Sequence, residues 1–203
     1  MSDYFYNYEY DKTYCYPSSS VLKNKLNIQD ASDLLKAERN ITALRILELK
    51  MAPPKGSLNF DYLRKLHFYI FQDIYTWAGE IRTVDITKGT KFCLFRYIEE
   101  QANDLFRKLK NENYLIDTKE SIERRLSFYL SEINAIHPFR EGNGRVQRLF
   151  IEILADRAGY EVDFSVVTAE EMITASYQSF HKNYEPMDEL FRRITCSKAI
   201  TDV

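Results

Sequence analysis

HPFREGNGRVQR, His137 to Arg148, divides two runs of apolar residues that both repeat at helical spacing. Ahead of it Ile122, Leu126, Tyr129, Leu130, Ile133 and Ile136 recur every three or four positions, so an amphipathic helix is expected from about Glu120. That helix should close at His137, because Pro138 has no N–H to donate and disfavours helical angles in the residue before it. Behind the stretch, Val146, Leu149, Phe150, Ile153 and Leu154 restart the same period until about Gly159. The expected unit is helix, tight loop, helix.

The loop has the makings of an anion site. Gly142, Asn143 and Gly144 are residue types that tolerate left-handed backbone angles, so their N–H groups can converge on one point. A helix starting there adds unpaired N–H groups and the positive end of its dipole. Arg145 and Arg148, three apart, suit two guanidiniums gripping neighbouring phosphates from the face opposite the apolar stripe. A carboxylate at Glu141 would waste that positive charge unless it held a cation, which suggests a Mg²⁺ ligand bridging to phosphates. His137 is the side chain suited to take a proton from an incoming hydroxyl near neutral pH. Together these parts amount to phosphoryl or nucleotidyl transfer.

The string resembles the motif of the Fic family, HPFx(D/E)GNGRxxR, at every specified position. The resemblance extends to Val21–Asp30 (VLKNKLNIQD), Asp73–Arg82 (DIYTWAGEIR), Thr87–Phe92 and Glu132–Ile136. It implies an all-α fold, a helical bundle around the central helix-loop-helix with a short β-hairpin flap, that moves AMP from Mg-ATP onto a protein hydroxyl. Carried over residue by residue, it makes His137 the base, Phe139 the buried anchor of the loop and Glu141 the Mg²⁺ ligand. It makes Gly142, Asn143 and Gly144 the phosphate cradle, with Arg145 and Arg148 on the outer phosphates. A relative that phosphorylates its target has Lys where Gly144 stands; this chain keeps the glycine.

Taken singly, each piece has a plainer reading: a turn at the glycines, a helix-terminal histidine, a core phenylalanine, a solvated arginine face. Their joint spacing favours the nucleotide site. Two alternatives remain beside adenylyl transfer. The same scaffold could move another group, such as phosphoryl, UMP or phosphocholine, or it could bind nucleotide without catalysis.

The rest of the chain reads as one domain with terminal additions. At 203 residues it has room for one sizeable core, and 28 basic against 30 acidic residues disfavour direct binding of nucleic acid through a basic surface. No run of 18 apolar residues suggests a membrane span, and Cys15, Cys93 and Cys196 are odd in number and widely spaced, which fits a reducing cytoplasm. Tyr4, Tyr6, Tyr8 and Tyr10 alternate in a Tyr-rich N-terminal arm, assigned to residues 1–16; the domain proper is expected over 17–195 and a tail over 196–203. Leu34, Ala37, Ile41, Leu44 and Leu47 predict a helix from Gln29 or Asp30 to about Lys50, broken by MAPPKG. Leu63, Leu66, Ile70 and Ile74 predict another to about Tyr75, with His67 a core-edge histidine rather than a ligand. Residues Thr83–Phe95 read as a β-hairpin around Lys88-Gly89-Thr90; in the family the matching flap, here Thr87, Lys88, Gly89, Thr90, Lys91 and Phe92, holds the target in extended form. Further helices are expected over Tyr97–Asn111, after Thr168 with Glu171 completing a capping box, and around Met187–Ile194.

Many Fic proteins carry an inhibitory (S/T)xxxE(G/N) helix whose glutamate faces the second motif arginine. Only Glu80 has Ser or Thr four residues before it, at Thr76, and Ile81 follows where Gly or Asn is required. The sequence therefore resembles the class in which a small separate antitoxin supplies that helix against Arg148. Stand-alone toxins of that class modify DNA gyrase and topoisomerase IV, which become the first expected targets.

Overall fold

A computed structural model describes residues 11–88 and 90–198 of the chain. Most of the Tyr-rich arm, Gly89 at the hairpin tip and residues 199–203 of the tail lie outside the described residues. The helices are α1 (Ala31–Met51), α2 (Phe60–Phe71), α3 (Ile98–Asn111), α4 (Ile122–Ile136), α5 (Asn143–Arg157), α6 (Ala169–Phe180) and α7 (Glu185–Ile194). Two short antiparallel two-stranded sheets accompany them, the hairpin of β1 (Thr87–Lys88) with β2 (Thr90–Lys91), and β3 (Tyr160–Val162) paired with β4 (Thr195–Ser197) across α6 and α7. The helical fold expected from the sequence is what the chain adopts.

Side chains set the helix starts. Asp30, Asn59, Ser121 and Thr168 each accept from a backbone N–H in the first turn of α1, α2, α4 and α6, and Thr168 and Glu171 form the expected reciprocal capping box. At the centre α4 packs on α5 and α7, α2 packs on α5, and α1 lies against α2. Leu126, Tyr129, Ile133, Val146, Phe150, Ile151 and Leu154 are buried between them, so the apolar periods of α4 and α5 do face one core.

Two expectations need correcting. The inward face of α1 is Leu34, Glu38, Thr42 and Leu49, whereas Leu44 and Leu47 are 64% and 56% exposed. The buried face is rotated from the apolar stripe because it carries two polar residues, Glu38 and Thr42. Helix α2 stops at Phe71 rather than Tyr75, although Ile74 and Tyr75 stay buried beyond it. Near the ends of the described chain, Tyr14 and Cys15 are core residues and Cys15 bridges to Leu22, while Cys196 and Ser197 continue β4 and the Lys198 N–H donates to the Gly159 carbonyl at 3.0 Å. Among the described residues no helix is long and apolar enough to cross a membrane.

Candidate active site

Helix α4 ends as its proline demands. His137 is its cap, with its N–H on the Ile133 carbonyl (3.0 Å) and its backbone left-handed at φ 49, ψ 62. That conformation costs a residue with a Cβ about 1 kcal/mol, so surrounding contacts have to hold it. Arg82 supplies them: its Nε donates to the His137 carbonyl (2.8 Å) and its backbone N–H to the Pro138 carbonyl (3.0 Å). The His137 ring lies flat on Phe92, with centroids 3.8 Å apart and planes 16° from parallel. Its Nδ1 stands 3.3 Å from the Asn134 carbonyl, which can only accept, so Nδ1 carries the hydrogen. In the neutral ring Nε2 is then the nitrogen able to take a proton.

The loop that follows is held from inside. Phe139 is fully buried and stacks on His67 at 3.9 Å. The Asn143 amide closes the loop in both directions, accepting from the Phe139 N–H (2.9 Å) and donating to the Phe139 carbonyl (2.7 Å). Only Gly142 takes the left-handed conformation, at φ 80; Asn143 and Gly144 are already the first residues of α5. Of the three tolerant residues only one needs that freedom, because the helix starts a residue after the turn. A Cβ on Gly142 would stand 2.1 Å from Cζ of Phe71, so glycine is required for space as well as angle.

His67 is deeper and more specific than a core-edge histidine. Its Nδ1 accepts from the Gly79 N–H at 2.8 Å, so Nε2 bears the hydrogen and donates to the Glu141 carbonyl at 3.0 Å. Burial pulls its pKa down to about 3. The ring is a neutral bridge between the WAGE turn and the loop.

Charge gathers where α5 begins. The Arg145 guanidinium reaches back to Glu38 on α1 (2.5 Å) and to the Thr42 hydroxyl (3.2 Å), with Glu141 at 3.5 Å and the Phe71 ring beneath it. Glu38 also accepts from the Tyr75 hydroxyl. Arg148 lies beside Gly144, where an added Cβ would approach its Nη1 to 3.3 Å. Burial lowers the pKa of Arg148, and repulsion from Arg145 adds to the effect; its acidic neighbour Glu152 is engaged by Lys50 at 2.7 Å. Two neighbouring guanidiniums at the positive end of a helix favour an anion. The two arginines are only partly solvated.

Glu141 folds back so that its Oε1 accepts from the Gly142 N–H at 2.8 Å. Among the described residues no group of three acids, histidines or cysteines could hold a metal alone. One carboxylate, a quarter exposed beside an anion pocket, suits a Mg²⁺ ion that brings most of its ligands as phosphate oxygens and waters. Arg140, at the first unspecified motif position, is fully buried and pairs with Asp11 at 2.8 Å. The sequence reading assigned no role to Arg82, Glu38, Thr42, Tyr75 or Asp11. For Glu38 and Thr42 a signal existed, two polar residues four apart in line with Leu34 and Leu49.

The flap lies at the other side of His137. Thr87 pairs with Lys91 and Lys88 with Thr90. Beyond β2 the chain passes Phe92, and the Cys93 N–H donates to the Ala135 carbonyl at 3.1 Å.

Residues 57–155 match the family model described as the Fic/DOC family. A probable protein adenylyltransferase of Sinorhizobium fredii is 42% identical over 183 residues, covering 89% of this chain and 94% of the relative. The BepC protein of Bartonella tribocorum, a VirB-translocated effector solved with bound AMPPNP, superposes with a TM-score of 0.88 at 26% identity, covering 95% of this chain and 100% of that one. The N-terminal Fic domain of a putative cell filamentation protein from Bartonella quintana, solved with bound ADP, gives a TM-score of 0.82 at 31% identity over 91% and 95% of the two chains. With the motif, the loop geometry and these matches in agreement, the chain belongs to the Fic/DOC family.

Proposed function

We propose that the protein is an adenylyltransferase that moves AMP from ATP onto a hydroxyl side chain of another protein. The observation that carries this reading is the pairing of a proton-accepting His137 with an anion pocket, made of the α5 N-terminus, Arg145 and Arg148, at the two ends of one rigid loop. The names of the relatives, as adenylyltransferase and as nucleotide-bound Fic domains, support it.

In the proposed reaction Gly142 to Gly144 and the two guanidiniums bind the triphosphate. Glu141 would hold Mg²⁺, which when bound offsets phosphate charge. The target oxygen attacks the α-phosphorus as its proton passes to Nε2 of His137; the new O–P bond forms, the bond to the β-phosphate bridging oxygen breaks, and pyrophosphate leaves. Positioning and charge neutralisation supply most of the acceleration, with about 10² to 10⁴ from the base. Thr87, Lys88, Gly89, Thr90, Lys91 and Phe92 form the flap against which the target lies as an added strand.

Within these 203 residues no glutamate satisfies the inhibitory pattern, and this supports a toxin whose separate antitoxin places a glutamate against Arg148. DNA gyrase and topoisomerase IV are the first targets to try. The free thiols of Cys15, Cys93 and Cys196 support a reducing cytoplasm.

The test is incubation of a bacterial lysate with ATP labelled at the α or the γ phosphate. Adenylyl transfer deposits the α label alone on a protein, and His137→Ala abolishes it while nucleotide binding persists. Deposition of the γ label would establish the phosphoryl alternative, and binding without any label would establish the inactive one.

A further inference from the structure

Arg82 is fully buried, yet its guanidinium serves no carboxylate closely; Asp85 is 4.0 Å away. Its donors go to carbonyls of two separate segments. Nε donates to His137 (2.8 Å) and Nη2 to Ile136 (3.3 Å), at the end of α4. Nη1 donates to Val84 (2.7 Å) and Nη2 to Cys93 (2.5 Å), at the two roots of the flap. Burying a guanidinium is costly, and burial does pull its pKa down to about 10, so it stays charged near neutrality. A cation that accepts this cost and satisfies four carbonyls is a tie between the segments it touches. Phe92, at the end of the flap, completes the tie by stacking on the imidazole.

We infer that Arg82 is a positioning residue that locks the target-docking flap and the His137 backbone into one unit, so that the hydroxyl of a docked strand arrives in register with the base. The inference rests on the adenylyl-transfer reading. The nucleotide pocket is built from different contacts: His67, Asn143, Glu38 and Arg148 hold it, and none of the Arg82 hydrogen bonds reaches past Pro138. Displacing a reacting group by about 1 Å lowers transfer about a hundredfold, so a slack tie should be visible in the rate.

The experiment compares wild type, Arg82→Lys, Phe92→Leu and the double variant of the whole chain. ATP binding is measured by calorimetry, and α-label transfer to a protein target by steady-state kinetics. Lysine keeps the charge but cannot span four carbonyls. The expected result is ATP affinity within about twofold of wild type, a fall in kcat for protein labelling of about tenfold or more in each single variant, and a double variant no worse than the worse single one, because both changes cut the same coupling. Additive losses, unchanged labelling, or loss of ATP binding in step with labelling by Arg82→Lys would each overturn the inference. Should Arg82→Lys fail to fold, the fall in kcat with intact ATP binding is required of Phe92→Leu alone, and its absence is equally fatal. Failure of the underlying reading would show separately, as no α label transferred by the wild type.

Discussion

Glu38 of α1 and Arg145 of α5 form an ion pair 2.5 Å long, although 107 residues separate them in sequence. The carboxylate is nearly buried and accepts from Tyr75 as well, so α1 braces the arginine assigned to the outer phosphates. Removing a partner from a buried pair costs several kcal/mol, reduced here because Arg145 is a quarter exposed. Glu38→Ala should lower unfolding free energy by about 2 kcal/mol in urea titrations, and Glu38→Gln by about half of that, since the amide oxygen can still accept from Tyr75. Equal stability of all three proteins would show that the pair braces nothing.

His67 gives a pH dependence whose sign is fixed by its surroundings. Its folded pKa of about 3 lies below the ordinary value of 6.5, so between those values the unfolded chain binds the extra proton. The contribution of His67 is complete above about pH 6.5 and drains away as pH falls toward 3. Over pH 6 to 4 the unfolding free energy of wild type should fall more steeply than that of His67→Gln, by up to about 1.4 kcal/mol per pH unit. Parallel curves would place the histidine in a less buried setting than the one described.

Asp11 and Arg140 make a second buried pair, at one of the three motif positions that the family pattern leaves open. Asp11→Ala should destabilise the protein by about 3 kcal/mol, by taking one carboxylate away from a buried guanidinium. The apolar double replacement Asp11→Leu with Arg140→Met should recover a large part of that loss. Thermal melts of the four proteins decide it; a double variant worse than Asp11→Ala would contradict the account.

Gly144 separates binding from folding. It is helical, and the nearest atom to an added Cβ is the flexible Nη1 of Arg148 at 3.3 Å. Gly144→Ala should leave stability unchanged or raise it by up to about 1 kcal/mol, as alanine does in helices. The methyl group crowds the anion pocket, so ATP affinity should drop about tenfold, equivalent to ~1.4 kcal/mol. Calorimetric titration with ATP checks the second half and a melt the first.

What could be read from the sequence was whatever is local. Pro138 stops α4 at Ile136, with His137 as its cap, because a proline acts on its own neighbours, and the glycines mark the turn for the same reason. The motif residues come together around that turn as their spacing requires. Contacts made over distance were not legible: Glu38 reads as a solvated acid until α1 is rotated against α2 and α5, and Arg82 reads as a surface cation at the end of a loop. The pairing of β3 with β4 joins strands of three residues from either side of α6 and α7, too short for any periodic signal. His67 was placed near the core by its period, but its two hydrogen-bond partners lie 12 and 74 residues away.

The ring of Phe71 fills the space that a side chain at position 142 would need, while the same ring supports the Arg145 guanidinium and stacks on His67. Drift at these sites is therefore barred one step at a time. A larger residue at 142 collides unless 71 has already shrunk, and a shrunken 71 unseats His67 and Arg145 on the flanking helices before any benefit arrives. Variants of this loop would have to cross that valley in a single double change, and the left-handed backbone at 142 would still penalise the survivor.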